Sequence, residues 1–373
     1  MIQVKITPFQ LFCLMFLFEL GSSIVVGLGL DAKQDAWLTI LLGMVCAIPL
    51  FSIYSYLYQQ YPDLPLTSYL PKILGKVIGI PIALAYSLYF LYISTRVLRD
   101  FGDLMITSTL DVTPLYAVNG LMILLIIYGI YSGLEVIGRT SEIIFFTMLF
   151  LVFSGILVTI LSGLMDFSNL SPVLEGGWKP IISTVFRQTY TFPFGEMIVF
   201  TMLLPHLTKP DFVNKVGVLA IISSGLILCF TIVMEISILG VEGTAAAQFP
   251  LLETVSKVSF GDFIQRLDAI VVATLILGMF MKIIIFFYAG LTEILDVFNI
   301  SKKRHKNYFL LLIGFSILIY SQKIAGNFAE HIKIGLKLVP VYLHLPLQTG
   351  IPLFLFFITL IRTAFRKNKA ETM

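Results

Sequence analysis

The chain has 373 residues, of which 58% are hydrophobic and 13% charged, and its 25 basic and 22 acidic side chains leave a formal net charge of +3. This composition, with a positive mean hydropathy, excludes a soluble globular domain and is typical of a polytopic membrane protein. We expect no nucleic-acid partner, and membrane lipid is the expected surrounding.

Apolar runs of about 20 residues, the length that crosses a bilayer as a helix, recur ten times along the chain. The predicted spans are 7–29, 36–58, 81–105, 114–132, 139–162, 181–205, 213–239, 266–297, 308–325 and 344–364. The longer connections fall at 163–180, 240–265 and 326–343, and the second of these is apolar enough to form a surface helix. The sequence therefore predicts an all-α integral membrane protein with one polytopic domain, 1–373.

The distribution of basic residues predicts the orientation of these spans. An even number of spans places both termini on one side, and the inner side is expected to carry the excess of Lys and Arg. With both termini inside, the inner segments include the basic run at 302–306 and the tail at 365–373. We therefore predict that the N and C termini are cytoplasmic.

The first span is interrupted near its centre by polar and small residues. Glu19, Gly21, Ser22 and Ser23 lie in the stretch FELGSS, inside an otherwise apolar run. A close helix-packing patch is one explanation, and a break in the helix is the other.

The sixth span contains a second interruption, TFPFGEM at 191–197. Pro193 removes a backbone donor and Gly195 relaxes the backbone, so we expect the helix to break at 192–195. Irregular backbone at membrane depth is tolerated only inside protein or beside a polar cavity. A structural kink is the alternative reading of this stretch taken alone.

The two interruptions occupy the first position of two five-span halves, 7–162 and 181–364. Interrupted helices at matching positions indicate an inverted-repeat transporter fold with a ligand at the midplane. The sequence thus predicts a five-plus-five inverted repeat in which helices 1 and 6 are broken.

Three ionisable side chains lie deepest in the predicted spans: Glu19, Glu196 and Lys282. A charge at the bilayer centre costs about 2.5–3.5 kcal/mol on insertion scales, so each needs compensation. We expect an internal ion pair or a proton-responsive, ion-coupling site, although a pair that only holds helices together would produce the same pattern. By contrast, Glu235 and Glu293 lie at span ends, where we expect water.

A stripe of aromatic residues marks the third span. Tyr86, Tyr89 and Tyr92 recur every third residue, so at least two share a helix face. A wall of aromatic hydroxyl groups, including Tyr89, would suit a small polar ligand, and core packing is the simpler alternative. Arg96 and Asp100 follow near the predicted outer end of this span.

Enzyme chemistry, cofactors and metals are not indicated. The four histidines, among them His331 and His344, fall at loops or span edges without metal-ligand spacing. Cys13, Cys46 and Cys229 lie in apolar runs and read as small hydrophobic residues. We therefore predict neither a catalytic residue nor a metal site.

The N-terminal stretch ITPFQLFCLMFLFELGSSIV, the ten-span pattern, FPFGE at 192–196 and RLDAIVVATLILGMFMKIIIFFY at 266–288 resemble the B subunit of spore germinant receptors. The resemblance covers nearly the whole chain. That family is a branch of the amino acid-polyamine-organocation transporter superfamily, which implies a leucine-transporter-like fold. It also implies that the first helix unwinds at Gly21–Ser23 and the sixth at Phe192–Glu196.

The resemblance further implies a receptor in the spore inner membrane that works with an A subunit and a C subunit. A small nutrient, an amino acid or a sugar, would bind this subunit and trigger germination. The candidate ligand-binding residues are Gly21, Ser22, Ser23, Tyr89, Phe192, Pro193, Phe194, Gly195 and Glu196. The alternative function is a proton-coupled amino acid secondary transporter.

Overall fold

The structure is a computed structural model that describes residues 5–258 and 267–371. Within those ranges the backbone consists of helices, turns and loops, and the only extended pairing is an isolated parallel bridge between Ile6 and Leu207. The α-helices are α1 (Pro8–Leu20), α2 (Ala36–Gln60), α3 (Leu66–Leu74), α4 (Lys76–Ser108), α5 (Leu115–Ser132), α6 (Leu134–Leu161), α7 (Trp178–Thr184), α8 (Val213–Ala246), α9 (Pro250–Ser256), α10 (Leu267–Val297), α11 (Lys303–Lys323), α12 (Phe328–Lys333) and α13 (Ile351–Glu371).

Shorter helical segments of other geometry connect these helices. Segments of 3₁₀-helix are Leu30–Asp35, Phe167–Leu170, Phe194–Met202, Leu204–His206 and Pro210–Phe212, and segments of π-helix are Val185–Thr189, Ile334–Leu338 and Pro340–Gly350. π-Helical turns are rare and concentrate at functional sites. The non-α geometry is thus concentrated in the predicted sixth span and before α13.

Seven helical stretches among the described residues are long and apolar enough to cross a membrane, which confirms an all-helical membrane protein. They are Leu30–Gln60, Lys76–Ser108, Leu115–Ser132, Leu134–Leu161, Pro210–Ala246, Asp268–Val297 and Phe328–Phe365. The first predicted span has only the 13-residue α1, the sixth is divided into short pieces, and the ninth, α11, is not among the seven. Ten spans and the inverted repeat therefore stay predictions.

Two connections that the sequence predicts as outer loops contain helix. Helix α8 continues past the left-handed Gly240 (φ 71°) to Ala246, and α9 follows, while 259–266 lies outside the described residues. The predicted loop 326–343 is wrong from Phe328 onward, because the chain stays helical to α13. Pro340, at the end of this predicted loop, and Pro346, just beyond it, both lie in a π-helical stretch that continues the helix.

The core of the fold is built around α1 and α10. Helix α1 packs against α8, α6 and α10, and α10 packs against α4. Close approach of α2 and α8 depends on glycine: the Phe51 ring fills the space that a side chain at Gly217 would need. Small residues let membrane helices approach closely, so this contact fixes the α2–α8 distance.

We expect Gly217→Val to destabilise the protein by about 1–3 kcal/mol, because the new side chain overlaps the Phe51 ring. Gly155→Val on α6 is the matched control, since a Cβ at Gly155 would meet no atom within 4 Å. Thermal unfolding of both purified variants in detergent measures the difference. Equal unfolding temperatures would show that α2 and α8 do not depend on this contact.

Candidate functional site

The first interruption lies where α1 ends. Helix α1 ends at Leu20, and the chain then proceeds through turns and a bend from Gly21 to Gly29, with the backbone N–H of Ile24 still donating to the Leu20 carbonyl at 3.1 Å. The Ser23 hydroxyl donates to the carbonyl of Glu19 and to that of Leu20 (3.2 Å), so the serine supplies a side-chain donor to carbonyl groups at the helix end. Both the sequence and the structure thus place irregular backbone immediately after Glu19.

The second interruption lies between the π-helical turn Val185–Thr189 and the 3₁₀ segment Phe194–Met202. The Phe192–Pro193 peptide bond within it is cis. The side-chain amide of Gln348 occupies the space that a Cβ at Gly195 would need, so glycine permits this close approach. The break predicted at 192–195 therefore coincides with a change of helix type.

A buried ion pair joins α10 to the second interruption. Lys282 Nζ on α10 lies 2.6 Å from Glu196 Oε2, and the two side chains are 0% and 1% exposed. The contact joins a basic and an acidic side chain at short distance, so it is a buried ion pair. The ammonium group also lies 5.0 Å from the ring centre of Phe18 and 4.6 Å from that of Phe192, in cation–π contact.

Glu19 is the third charged group at this depth. Its side chain is fully buried and interacts electrostatically with both Lys282 and Glu196. Neither carboxylate oxygen has a hydrogen-bond partner among the described residues. The structure thus brings the three deepest ionisable residues of the sequence together, but only Glu196 is in contact with the lysine.

His344 is a functional candidate that sequence reasoning missed. The prediction that it lies at a span edge is wrong: the ring is buried in the π-helical segment, with Nε2 3.8 Å from Glu196 Oε1. The Tyr89 hydroxyl lies 2.7 Å from Nδ1, and Gln348 Nε2 lies 2.9 Å from the same nitrogen and donates to the Tyr89 hydroxyl at 2.8 Å. Because the amide nitrogen of Gln348 only donates, Nδ1 accepts, and a neutral imidazole then carries its proton on Nε2, facing Glu196.

The sequence does contain a signal for the π-helical segment Pro340–Gly350 as part of the site: two polar residues four positions apart, His344 and Gln348. Residues at i and i+4 share a helix face, so the pair marks a polar stripe in an apolar run. Because the predicted span begins at 344, the sequence places His344 at a span edge, and its pairing with Gln348 remained unrecognised.

A small cavity of about 40 Å³ adjoins the ion pair. Ser22, Phe192, Glu196 and His344 line one part of it, and Arg96 and Asp100 line another. This volume has room for about three water molecules, so the cavity is smaller than an amino acid.

Arg96 and Asp100, which line the other part of the cavity, form polar contacts with His331 of α12. Arg96 donates to the His331 carbonyl at 2.6 Å, and His331 Nε2 lies 2.7 Å from Asp100 Oδ1. Among the described residues no carboxylate lies within ion-pair distance of Arg96, so its charge is not neutralised by a direct partner. An unpaired guanidinium lining a cavity suits an anionic group.

Three apolar residues close the cavity on one side. Val26, Ile332 and Leu336 line both the small cavity and a wide one of about 940 Å³, which also contains Asp31 and Lys333. We call these three residues the apolar layer. A ligand moving from the wide cavity to the ion pair would have to pass it.

The predicted ligand-binding residues divide into two groups. Ser22, Phe192 and Glu196 line the small cavity. The others support its walls or the ion pair without lining that cavity: Gly21, Ser23, Tyr89, Pro193, Phe194 and Gly195.

Two carboxylates that the sequence predicts to be exposed to water are buried in the structure. Glu235 is 2% exposed and faces the turn after Ser23, and Glu293 is 0% exposed. For Glu235 the reason is that α8 extends to Ala246, so position 235 lies inside the helix rather than at its end. Glu293 lies on α10, which is the most buried of the seven long apolar helices.

The fold is shared with a solved transporter. The structure resembles that of Mhp1, a nucleobase-cation-symport-1 family transporter in a closed conformation with bromovinylhydantoin bound, with a TM-score of 0.66 and 10% sequence identity. The match covers 87% of this chain and 74% of that chain. The chain therefore has a transporter-type fold.

The family is shown by sequence. Residues 5–328 match the spore germination protein family, and the chain belongs to it. It is 39% identical to spore germination protein KB of Bacillus subtilis (strain 168) over 370 residues, 99% of this chain and 98% of the relative. Spore germination protein YndE of the same organism is 28% identical and covers 72% of this chain, with 73% of its own length matched. The resemblance noted in the sequence is thereby confirmed.

We expect Lys282→Met to destabilise the protein by about 3–5 kcal/mol, because it leaves Glu196 buried and unpaired. The double variant Lys282→Met, Glu196→Gln should recover most of this loss, since it removes both charges. Thermal or denaturant unfolding in detergent measures these changes.

Arg139→Met is the matched control for this prediction. It removes the cation of the exposed Arg139–Glu135 pair, whose side chains are 70% and 47% exposed, and should change stability by no more than about 1 kcal/mol. A Lys282→Met variant as stable as this control would mean that Glu196 is not ionised in the folded protein.

Proposed function

We propose that the chain is the nutrient-sensing membrane subunit of a spore germinant receptor, in which a small ligand binds between the two interrupted segments. The observation that carries this proposal is the buried Glu196–Lys282 pair, placed at both interruptions and beside a cavity. Buried charges cost free energy, and a site for a charged ligand is a physical reason to retain them.

An amino acid matches the charges that line this cavity. Glu196 would receive the α-ammonium group, and Arg96, which has no carboxylate partner among the described residues, would receive the α-carboxylate. His344 and Tyr89 would orient Glu196 from the opposite side through their hydrogen-bonded chain. A sugar would use the same polar groups as hydrogen-bond partners but would leave both charges unmatched.

Ligand entry requires movement. The cavity is smaller than an amino acid, so the apolar layer would have to separate while the ligand enters and close over it afterwards. A ligand that binds the closed arrangement more tightly than the open one shifts the population between them. That shift would be the signal passed to the A and C subunits in the spore inner membrane, with both termini of this chain in the cytoplasm.

The second candidate is a proton-coupled amino acid transporter, which the likeness to the Mhp1 transporter favours. Both functions use the same site and the same movement. They differ in whether the ligand leaves on the other side of the membrane.

We expect Ser22→Leu to reduce the nutrient response of spores, because the leucine side chain would fill the small cavity. The concentration for half-maximal germination should rise by about tenfold or more, at an unchanged level of the protein. Ser223→Leu is the control, since Ser223 lies on α8 outside the cavity and bonds only to its own helix. A normal dose response in Ser22→Leu would place the ligand elsewhere.

Uptake in liposomes separates a sensor from a transporter. A sensor should bind L-alanine, L-valine or L-asparagine without accumulating it, whereas a proton-coupled transporter should accumulate it when a pH gradient is imposed. The purified chain, reconstituted with radiolabelled amino acid and compared with empty liposomes, provides this measurement. Saturable accumulation driven by the gradient would replace the sensing proposal by the transport one.

A further inference from the structure

Glu19 differs from the other charged groups at the site because nothing neutralises it. Its side chain is fully buried, and neither oxygen has a hydrogen-bond partner among the described residues. The nearest cation, Lys282, is already in contact with Glu196 at 2.6 Å and with two aromatic rings. Glu19 is also absent from the residues that line the small cavity.

The unneutralised Glu19 carboxylate determines the net charge of the buried cluster. With both carboxylates ionised, Lys282 protonated and His344 neutral, the four buried groups would carry a net charge of −1 (−2 + 1). An unpaired buried carboxylate is strongly unfavourable, and such groups take up a proton instead. One proton on one carboxylate makes the cluster neutral. Glu196 has the ion pair, so the proton belongs on Glu19.

We infer that Glu19 is a proton-binding site, protonated in the closed protein, and that ligand binding at Glu196 releases this proton. The protonated state of Glu19 follows from the geometry alone, whereas the release step rests on the proposed function.

The groups that face α1 from each neighbouring helix support this assignment. Helix α10 contributes Lys282 and the sixth segment contributes Glu196, and these are the charged groups that act on Glu19. Helices α6 and α8 also pack against α1, but Glu142 and Glu235 on these helices lie near other parts of it. Glu142 of α6 interacts electrostatically with Cys13, and Glu235 of α8 faces the turn after Ser23. His344 faces Glu196.

The release step is an exchange of partners by Lys282. When the ammonium group of a ligand binds Glu196, it competes with Lys282 Nζ for the same carboxylate. Lys282 lies within electrostatic range of Glu19, and its stem packs beside Gly21, two residues further along the chain. Its ammonium group would then pair with Glu19, which loses its proton to solvent.

The exchange conserves charge. Before binding, the cluster is neutral, with protonated Glu19, ionised Glu196 and protonated Lys282. Afterwards two carboxylates face two ammonium groups, and the proton has left. No bond other than the O–H bond of Glu19 breaks.

Infrared spectroscopy of the purified, ligand-free protein tests the first half of the inference. The carbonyl absorption of protonated carboxylic acids should lose one component, that of the Glu19 carboxyl group, in Glu19→Gln. Glu235→Gln is the matched control, because it removes a different buried carboxyl group outside the site and should leave the Glu19 component in place.

The stability of these variants gives a second test that needs no ligand. Glu19→Gln should fold with nearly wild-type stability, because glutamine resembles the protonated acid, whereas Glu196→Gln removes the carboxylate that contacts Lys282 and should be destabilised. An unchanged carbonyl absorption in Glu19→Gln overturns the inference. A Glu19→Gln variant that unfolds while Glu196→Gln folds also overturns it, since Glu19 would then be the ionised partner.

Binding measurements test the second half. For L-alanine, L-valine or L-asparagine, whichever binds, affinity should rise with pH by up to about tenfold per unit, because binding releases one proton. A pH-indicator dye in weak buffer should record about one proton per bound molecule, and glucose, which has no ammonium group, should release none.

In Glu19→Gln the affinity should fall, because Lys282 displaced from Glu196 would have no second carboxylate to pair with, and the remaining binding should show neither the pH dependence nor the proton release. Proton release that persists in Glu19→Gln overturns the exchange. Failure of every probe to bind the wild type would contradict the proposed function, and the infrared result would still decide whether Glu19 is protonated.

Discussion

The charge of Lys282 constrains the rest of the structure, because an ammonium group buried at membrane depth has to be neutralised by groups at the same depth. Glu196 provides the countercharge at 2.6 Å, and the rings of Phe18 and Phe192 cover the remaining sides. These partners come from the first helix and the sixth segment, so Lys282 links α10 to α1 through a cation–π contact and to the second interruption through the ion pair. Gly21 provides the space in which the lysine stem lies.

Irregular backbone is tolerated here because neighbouring side chains satisfy it. Ser23 bonds to carbonyls at the end of α1, and the Tyr54 hydroxyl donates to the Gln348 carbonyl at 2.5 Å and contacts that of Gly195 at 3.4 Å. Tyr86 likewise donates to the Leu347 carbonyl at 2.5 Å. The hydroxyl groups of Tyr54 and Tyr86 therefore link the π-helical segment before α13 to α2 and α4, and Tyr54 also links it to the second interruption.

A closed cavity beside a charged pair is useful to a sensor and to a transporter for the same reason. Removing water strengthens the electrostatic contacts between the site and a charged ligand, and the movement that admits the ligand makes two conformations distinguishable. The apolar layer separates the two cavities in this conformation. Family membership, rather than any feature of the site, is what directs the proposed function toward spore germination.

The sequence by itself determined the membrane class, the positions of both interruptions and the three deepest charges, because hydropathy, Pro-Gly chemistry and the cost of buried charge are local properties of the chain. It missed His344, Gln348 and the burial of Glu235 and Glu293, because prolines and polar residues near helix ends were read as boundaries. Only the tertiary structure decided that Lys282 pairs with Glu196 and not with Glu19. That choice depends on how helices distant in sequence pack, and both carboxylates satisfy the same local rules.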